Sequence, residues 1–155
     1  MPTPNAHTRN ILDICAHCIV TLLLSAAILI STHDMRYIVF IIAGGILVDL
    51  DHLIDYHACY GKRFYLPEFL NTRYLVKSGK VYLVLHSWEL NFLVLCAAII
   101  TNSPGLLLFF ASFTLHLIID NVQRHNPWFY LLSYRWAKGF DTFVLLPELQ
   151  KETAK

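Results

Sequence analysis

The sequence predicts an all-α integral membrane protein, a bundle of four transmembrane helices in two helical hairpins with a C-terminal interfacial segment. Of its 155 residues, 56% are hydrophobic and 15% are charged, whereas a soluble chain carries about 25% charged residues. The apolar residues also come in long blocks, and the mean hydropathy is +0.50. A formal net charge of +1 argues against a nucleic-acid binder that works through a basic surface.

Four stretches have the roughly 20 residues needed to cross about 30 Å of hydrocarbon. They run from about Ile14 to Thr32, from Tyr37 to about Asp55, from Val81 to Thr101 and from Gly105 to about Val122. Short polar turns separate the first stretch from the second and the third from the fourth, so each pair should form an antiparallel hairpin. A longer polar segment, Tyr56–Lys80, joins the two hairpins.

Positive charges lie mostly on one side of this arrangement. The two short turns hold only Arg36, while the ends of the chain and the Tyr56–Lys80 segment hold the rest. The positive-inside rule therefore predicts that both termini and the long segment are cytoplasmic. The basic residues outside the turns are Arg9, Lys62, Arg63, Arg73, Lys77, Lys80, Arg124, Arg135, Lys138, Lys151 and Lys155.

The length accommodates one domain, which we divide into a transmembrane part, 1–125, and an interfacial segment with a cytoplasmic tail, 126–155. Asn126 and Pro127 end the fourth predicted helix. The aromatic and basic residues that follow are typical of the lipid headgroup level. Three of the four cysteines belong to or border predicted spans and Cys59 faces a reducing cytoplasm, so no disulfide is needed. We expect Cys15 and Cys18 to pack as small apolar side chains.

Ionisable side chains gather at one end of each predicted helix. Such residues cost about 2.5–3.5 kcal/mol each at the bilayer centre and are functional candidates. They lie at the start of the first and third helices and at the end of the second and fourth, so in an up-down-up-down bundle they share one depth. These residues are Asp13, His17, Asp49, Asp51, His52, Asp55, His86, Glu89, His116 and Asp120.

Imidazoles and carboxylates gathered in a medium of low dielectric favour a bound divalent cation, because the cation satisfies several buried carboxylates at once. This ligand set suits zinc first, with manganese or iron as alternatives. One ion and two ions both remain open. Asp13 and Asp55 lie nearer the water and are expected to be helix-end groups. The candidate ligands are His17, Asp49, His86, His116 and Asp120, with Asp51 and His52 as further ligands or as hydrogen-bond partners of ligands.

The order of these motifs resembles the bacterial inner-membrane metal-dependent hydrolase family that includes a LexA-regulated member. The shared pattern is His17, the run Asp49-Leu50-Asp51-His52, the pair His86-Ser87, and His116 followed by Asp120. Val48 stands where the family pattern has proline, and the histidine-containing run that often precedes the pair is missing. The resemblance covers about residues 17–120. It implies metal-dependent hydrolysis in the plane of a bacterial inner membrane.

The favoured function is a membrane metallohydrolase that cleaves a lipid-derived or phosphorylated ester with a metal-activated water at the cytoplasmic side. Glu89, one turn from His86, is the predicted general base, with Asp51 as the alternative; an orienting contact from Glu89 to His86 is equally open. The same cluster suits an ion or proton transporter or a metal-sensing membrane protein, and a structural protein with a vestigial site is a third alternative. The expected partners are membrane lipids and a lipid or phosphoester substrate, and the oligomeric state stays open.

Overall fold

The computed structural model describes residues 6–70, 73–123, 126–147 and 149. In these ranges the regular structure is helical, apart from one isolated antiparallel bridge between Lys80 and Asp141, which confirms the all-α class. A 3₁₀ turn at Leu47–Asp49 separates the second helix from the third. The helices are α1 (Ala6–Thr32), α2 (Arg36–Gly45), α3 (Leu50–Tyr60), α4 (Leu66–Leu70), α5 (Arg73–Ser78), α6 (Trp88–Ile100), α7 (Pro104–Gln123), α8 (Leu132–Ala137) and α9 (Thr142–Leu145).

Among the described residues, two helices are long and apolar enough to cross a membrane, namely α1 over Ile11–Thr32 and α7 over Pro104–Val122. They contain the first and fourth predicted spans. Helices α2 and α3, with 10 and 11 residues, are each too short to be a span. They qualify only together, as one broken span with a bend of 43°. The structure therefore contains two candidate spans, or three if the bent pair is one span, where the sequence predicts four.

The third predicted span, Val81–Thr101, is wrong in its first turns. Helix α6 begins only at Trp88, and residues 81–87 form no helix. Ser87 caps the helix, since its hydroxyl accepts a hydrogen bond from the Leu90 N–H at 3.2 Å. The 13 residues of α6 rise about 20 Å, which is too short to cross about 30 Å of hydrocarbon.

Helix α2 packs closely on α7, as the glycine pair of α2 predicts. A Cβ atom added to Gly44 would lie 3.1 Å from the main-chain nitrogen of Phe113. A Cβ added to Gly45 would lie 2.7 Å from the Ser112 hydroxyl, and that hydroxyl donates a hydrogen bond to the Ile41 carbonyl at 2.8 Å. This close approach places the middle of α7 against the C-terminal end of α2.

The segment after residue 126 packs against the chain that precedes α6. The N–H of Val81 donates to the Phe140 carbonyl at 2.9 Å, and the N–H of Trp88 donates to the Tyr130 carbonyl at 3.0 Å. Phe129 is fully buried, whereas Trp128 and Trp136 are exposed. The predicted interfacial segment thus has a buried side that belongs to the protein core and an exposed aromatic side.

Part of the predicted orientation depends on residues that lie outside the described ranges. Arg124, Lys151 and Lys155 are among them, as are the side chains of Arg9 and Arg73. The orientation therefore remains a prediction.

Candidate metal centre

Four elements bring the predicted ligands together at one level. With a rise of about 1.5 Å per residue, His17 lies about 22 Å along α1 from Thr32, Asp49 about 20 Å along the bent pair from Arg36, and His116 about 18 Å along α7 from Pro104. His86, on the non-helical segment before α6, contacts Asp49 and His116. The cluster therefore lies within the length of the candidate spans, nearer to their long-loop end than to the short turns.

The centre of the cluster is a triangle of three potential ligand atoms. His86 Nε2 lies 3.1 Å from His116 Nε2 and 3.2 Å from Asp49 Oδ1, and the third edge, from His116 Nε2 to Asp49 Oδ1, is 3.5 Å. Ligands held about 2.0–2.1 Å from one tetrahedral zinc are about 3.3–3.4 Å apart. These three atoms thus have the spacing of one face of a tetrahedral metal site.

Asp120 lies beside the same two imidazoles. Its Oδ2 is 3.6 Å from His86 Nε2 and 3.6 Å from His116 Nε2. The i, i+4 spacing on α7 puts Asp120 and His116 on one face of the helix. Asp120 is therefore placed to contribute a ligand to the site that the triangle outlines.

The two facing nitrogens need a cation between them or a proton on one of them. His116 can donate from Nδ1 to the Gly45 carbonyl at 3.1 Å. His86 Nδ1 lies 2.9 Å from Asp51 Oδ1. Among the described residues, neither His86 Nδ1 nor Asp51 Oδ1 has a hydrogen-bond partner. With Nδ1 protonated, each ring turns an Nε2 lone pair toward the other ring. Histidine ligands of metals usually place the second ring nitrogen on an acceptor in this way, so the residues present fit a divalent metal ion.

His17 joins the cluster from the other side of Asp120. Its Nε2 lies 2.9 Å from Asp120 Oδ1 and 3.4 Å from Asp13 Oδ1, and its ring stacks on His116 with centroids 4.0 Å apart. His17, His116 and Asp120 form a second group of close potential ligands. Asp13, expected to be a helix-end group, instead contacts a member of the cluster.

Asp51 and Asp55 support the segment that carries His86. Asp51 Oδ2 accepts hydrogen bonds from the N–H groups of Leu85 and His86, at 2.8 and 3.2 Å. One turn along α3, Asp55 Oδ2 accepts from Tyr82 and Leu83, at 2.9 and 3.3 Å. Non-helical backbone at membrane depth needs partners inside the protein, and these two carboxylates provide them. Asp55 is thus more than a helix-end group.

His52 lies at the edge of the cluster. Its Nδ1 is 2.9 Å from the Tyr74 hydroxyl, and its ring meets the His86 ring edge-on with centroids 4.9 Å apart. Asp51, His52 and His86 form a third group of close potential ligands. However, Asp51 already binds the His86 segment, so His52 fits better as a neighbour of the ligand His86 than as a ligand itself.

Glu89, the predicted general base, is occupied elsewhere. Its carboxylate accepts hydrogen bonds from the Leu132 N–H at 2.9 Å, the Ser133 N–H at 2.9 Å and the Ser133 hydroxyl at 2.7 Å. Burial raises the pKa of Glu89, but these donors outweigh burial and hold the pKa below its usual value. The three groups of potential ligands do not include Glu89. The carboxylate therefore fastens the C-terminal segment, at the start of α8, to α6.

Arg135 is a residue that the sequence reasoning missed. Its side chain is fully buried, and its Nη2 donates a hydrogen bond to the His86 carbonyl at 2.9 Å. Its guanidinium also lies 5.7 Å from the centre of the Phe129 ring. A basic residue among aromatics predicts a headgroup anchor, and no local pattern shows that this one reaches the His86 main chain.

The chain was compared with protein-family models, with curated proteins and with solved structures, and none of them matches it. The function of the cluster is therefore inferred from its own geometry.

Proposed function

We propose that this protein is an integral membrane metal-dependent hydrolase that cleaves a lipid-derived or phosphorylated ester at the cytoplasmic side of a bacterial inner membrane. The observation that carries the proposal is the pair of Nε2 atoms 3.1 Å apart, flanked by Asp49 and Asp120 within 3.6 Å. This donor set suits zinc, with manganese and iron as alternatives. The resemblance of the motifs to the membrane hydrolase family agrees with the proposal.

In this proposal Asp49, His86, His116 and Asp120 hold the ion. A divalent ion bound there would act as a Lewis acid. It would polarise the ester oxygen and lower the pKa of a water molecule toward neutrality. Gly45 orients His116 through its carbonyl, and Asp51 orients His86 through its carboxylate. The protein thereby presents two neutral imidazoles in the tautomer that binds metal.

Proton acceptance is assigned to Asp49. The two candidates from the sequence, Glu89 and Asp51, both have carboxylates that accept hydrogen bonds from main-chain N–H groups. Asp49 directs Oδ1 to the imidazoles and is the most exposed carboxylate of the set, with 37% of its side chain accessible. Its second oxygen is thus placed to take a proton from the attacking water.

Elemental analysis of the detergent-purified protein tests the proposal. We expect wild-type protein to bind zinc, manganese or iron, and the His116→Ala/Asp120→Ala variant to lose the ion because two ligands are removed. His57→Ala, which removes an exposed histidine of α3, is the matched control and should keep the metal, as should Glu89→Gln. Folded wild-type protein that stays free of metal after reconstitution would refute the proposal.

A second candidate function is transport of an ion or proton, and one observation favours it. His17, Thr21 and Ser25 follow each other at i, i+4 and i+8 on α1, and all three are buried. The Ser25 hydroxyl has no hydrogen-bond partner in the part of the chain that the structure describes. This polar stripe leads from the cluster about 12 Å further along α1. Metal or proton flux into proteoliposomes that is lost in Ser25→Ala would favour transport over hydrolysis.

A further inference from the structure

The candidate metal centre is closed on most sides and open at Asp49. His17, His86, His116 and Asp120 have between 1 and 7% of their side chains accessible. Asp49, by contrast, is 37% accessible. A molecule that reaches the two imidazoles therefore has its shortest way in past Asp49.

Apolar side chains flank this opening. Leu47 and Leu50 are three residues apart and share one face of the 3₁₀ turn beside Asp49, where they are 47% and 48% exposed. Val39, Ile42 and Ile54, on the same bent pair of helices, are exposed as well. Exposed aliphatic side chains on a membrane-spanning helix face lipid chains, because contact with water would be unfavourable for their apolar surface.

The sides of the cluster that lie away from Asp49 are covered by protein. The segment at 81–87 carries His86 on one side of the cluster and is itself held by Asp51 and Asp55. Beyond it lies the C-terminal segment, where the buried Tyr130 ring is 6.3 Å from the His86 ring. Water on the side of the long loop is thus separated from the two imidazoles by packed protein.

The break between α2 and α3 produces the opening. The 3₁₀ turn at Leu47–Asp49 lies at the 43° bend of the pair, about 20 Å from the start of α2. A break in a membrane helix is tolerated where local 3₁₀ hydrogen bonds re-satisfy the backbone groups that it frees, and here the Asp49 N–H donates to the Ile46 carbonyl at 3.2 Å. Here the break directs Asp49 inward to the imidazoles and leaves one edge of its carboxylate at the surface that faces lipid.

We propose that the substrate enters the metal centre laterally from the bilayer, past Leu50 and Asp49, and that it is an ester-bearing lipid and not a water-soluble phosphoester. This inference rests on the proposed function and names the substrate class of the same site. A lipid that stays among its neighbours would bring its ester to Asp49 and the ion without leaving the membrane.

Carbodiimide labelling of metal-free protein in liposomes tests the opening without requiring turnover. Dicyclohexylcarbodiimide partitions into the bilayer, whereas a charged carbodiimide stays in water, and both modify carboxyl groups. We expect the membrane-soluble reagent to modify Asp49, as found by peptide mass mapping, and zinc added beforehand to prevent this. The charged reagent should modify Asp34 in the α1–α2 turn and spare Asp49. Modification of Asp49 by the charged reagent, or by neither reagent, would overturn lateral entry.

A pair of tryptophan variants refines this test. Leu50→Trp should narrow the opening and lower the labelling of Asp49 several-fold, while zinc content stays that of wild type. Ile54→Trp, one turn along the same exposed face, is the matched control and should leave the labelling unchanged. Equal labelling in both variants would contradict an entry past Leu50.

The substrate class is tested with zinc-loaded wild-type protein. We expect ester release from phospholipid vesicles to be at least several-fold faster than release from para-nitrophenyl phosphate in solution. Turnover of the soluble ester alone would overturn the lipid assignment. If neither ester is cleaved although zinc is bound, the proposed hydrolase function fails, while the labelling experiment still decides whether the site opens to the bilayer.

Discussion

The state of each histidine depends on the group behind it. His86 and His116 are useful to a metal only when Nδ1 carries the proton and Nε2 is free. Gly45 imposes this tautomer on His116 through its carbonyl. Asp51 favours it in His86 by placing Oδ1 2.9 Å from Nδ1. A residue that never touches the ion can thus decide whether the ion binds.

We expect Asp51→Asn to weaken metal binding by about 10–100-fold, the range for a change in a group that contacts a ligand from outside the metal site. An asparagine would keep one oxygen for the N–H groups of Leu85 and His86 and turn its amide nitrogen toward His86 Nδ1. The ring would then carry its proton on Nε2, where it blocks the ion. Competition with a metal-binding dye measures the affinity.

Asp55→Asn is the control for this prediction, because Asp55 holds the same segment but has no contact with an imidazole among those described. Its metal affinity should fall much less than that of Asp51→Asn. Equal losses in the two variants would show that Asp51 acts only by holding the main chain.

At the level of elements, two irregular segments make the site. The 3₁₀ turn between α2 and α3 carries Asp49, and the non-helical segment before α6 carries His86. Both interrupt stretches whose hydropathy predicts continuous helix. The interruptions are stabilised by contacts from distant parts of the chain, which include the close packing of α2 on α7.

Gly44→Ala tests this packing. The added Cβ would meet main-chain atoms of α7, which cannot move aside as a flexible side chain can, so the helices must separate. We expect the free energy of unfolding in detergent to fall by about 1–3 kcal/mol and the metal content to fall with it, because Gly45 would shift from His116. Denaturant unfolding and elemental analysis measure the two effects.

Gly61→Ala serves for comparison. Among the described residues a Cβ at Gly61 meets no atom within 4 Å, but the residue has a φ of +65° and a ψ of −141°, which only glycine adopts readily, so the cost is backbone strain of about 1–3 kcal/mol. The metal content should stay at the wild-type level. If Gly44→Ala also kept its metal, the packing of α2 on α7 would not be needed for the site.

For the molecule as a whole, the segment after residue 126 completes the fold around the site. Phe129, Tyr130, Leu145 and Leu146 are buried in the same core cluster as Phe113 and Leu117 of α7. Arg135 of this segment donates to the His86 carbonyl. The Leu132 N–H of the same segment donates to the Glu89 carboxylate. A membrane anchor alone would need none of these contacts.

We therefore expect a chain that ends at residue 125 to lose its metal, even where it inserts into membranes. The deletion removes Arg135 from the His86 carbonyl and uncovers the apolar core beneath Phe129. Metal content and monodispersity of the detergent-purified chain are the measurements. Trp136→Ala, which changes an exposed aromatic of the same segment, should keep the metal. A shortened chain with full metal content would restore the interpretation as a simple anchor.

The sequence by itself determined the class of the protein and the members of the cluster. Hydropathy and helical periodicity are local properties, so they predict apolar helices and show which polar residues share an end of them. This was enough to bring His17, Asp49, His86, His116 and Asp120 together. It was not enough to show that the second stretch bends at Ile46 or that His86 lies outside α6.

Only the tertiary structure decided what Glu89, Asp51, Asp55 and Arg135 do. Their partners are main-chain groups far away in the sequence, such as Leu132 for Glu89 and the His86 carbonyl for Arg135. A main-chain N–H or carbonyl is present at nearly every residue, so no sequence pattern marks the one that a distant side chain will meet. The choice is made when packing leaves non-helical backbone buried and in need of a hydrogen-bond partner.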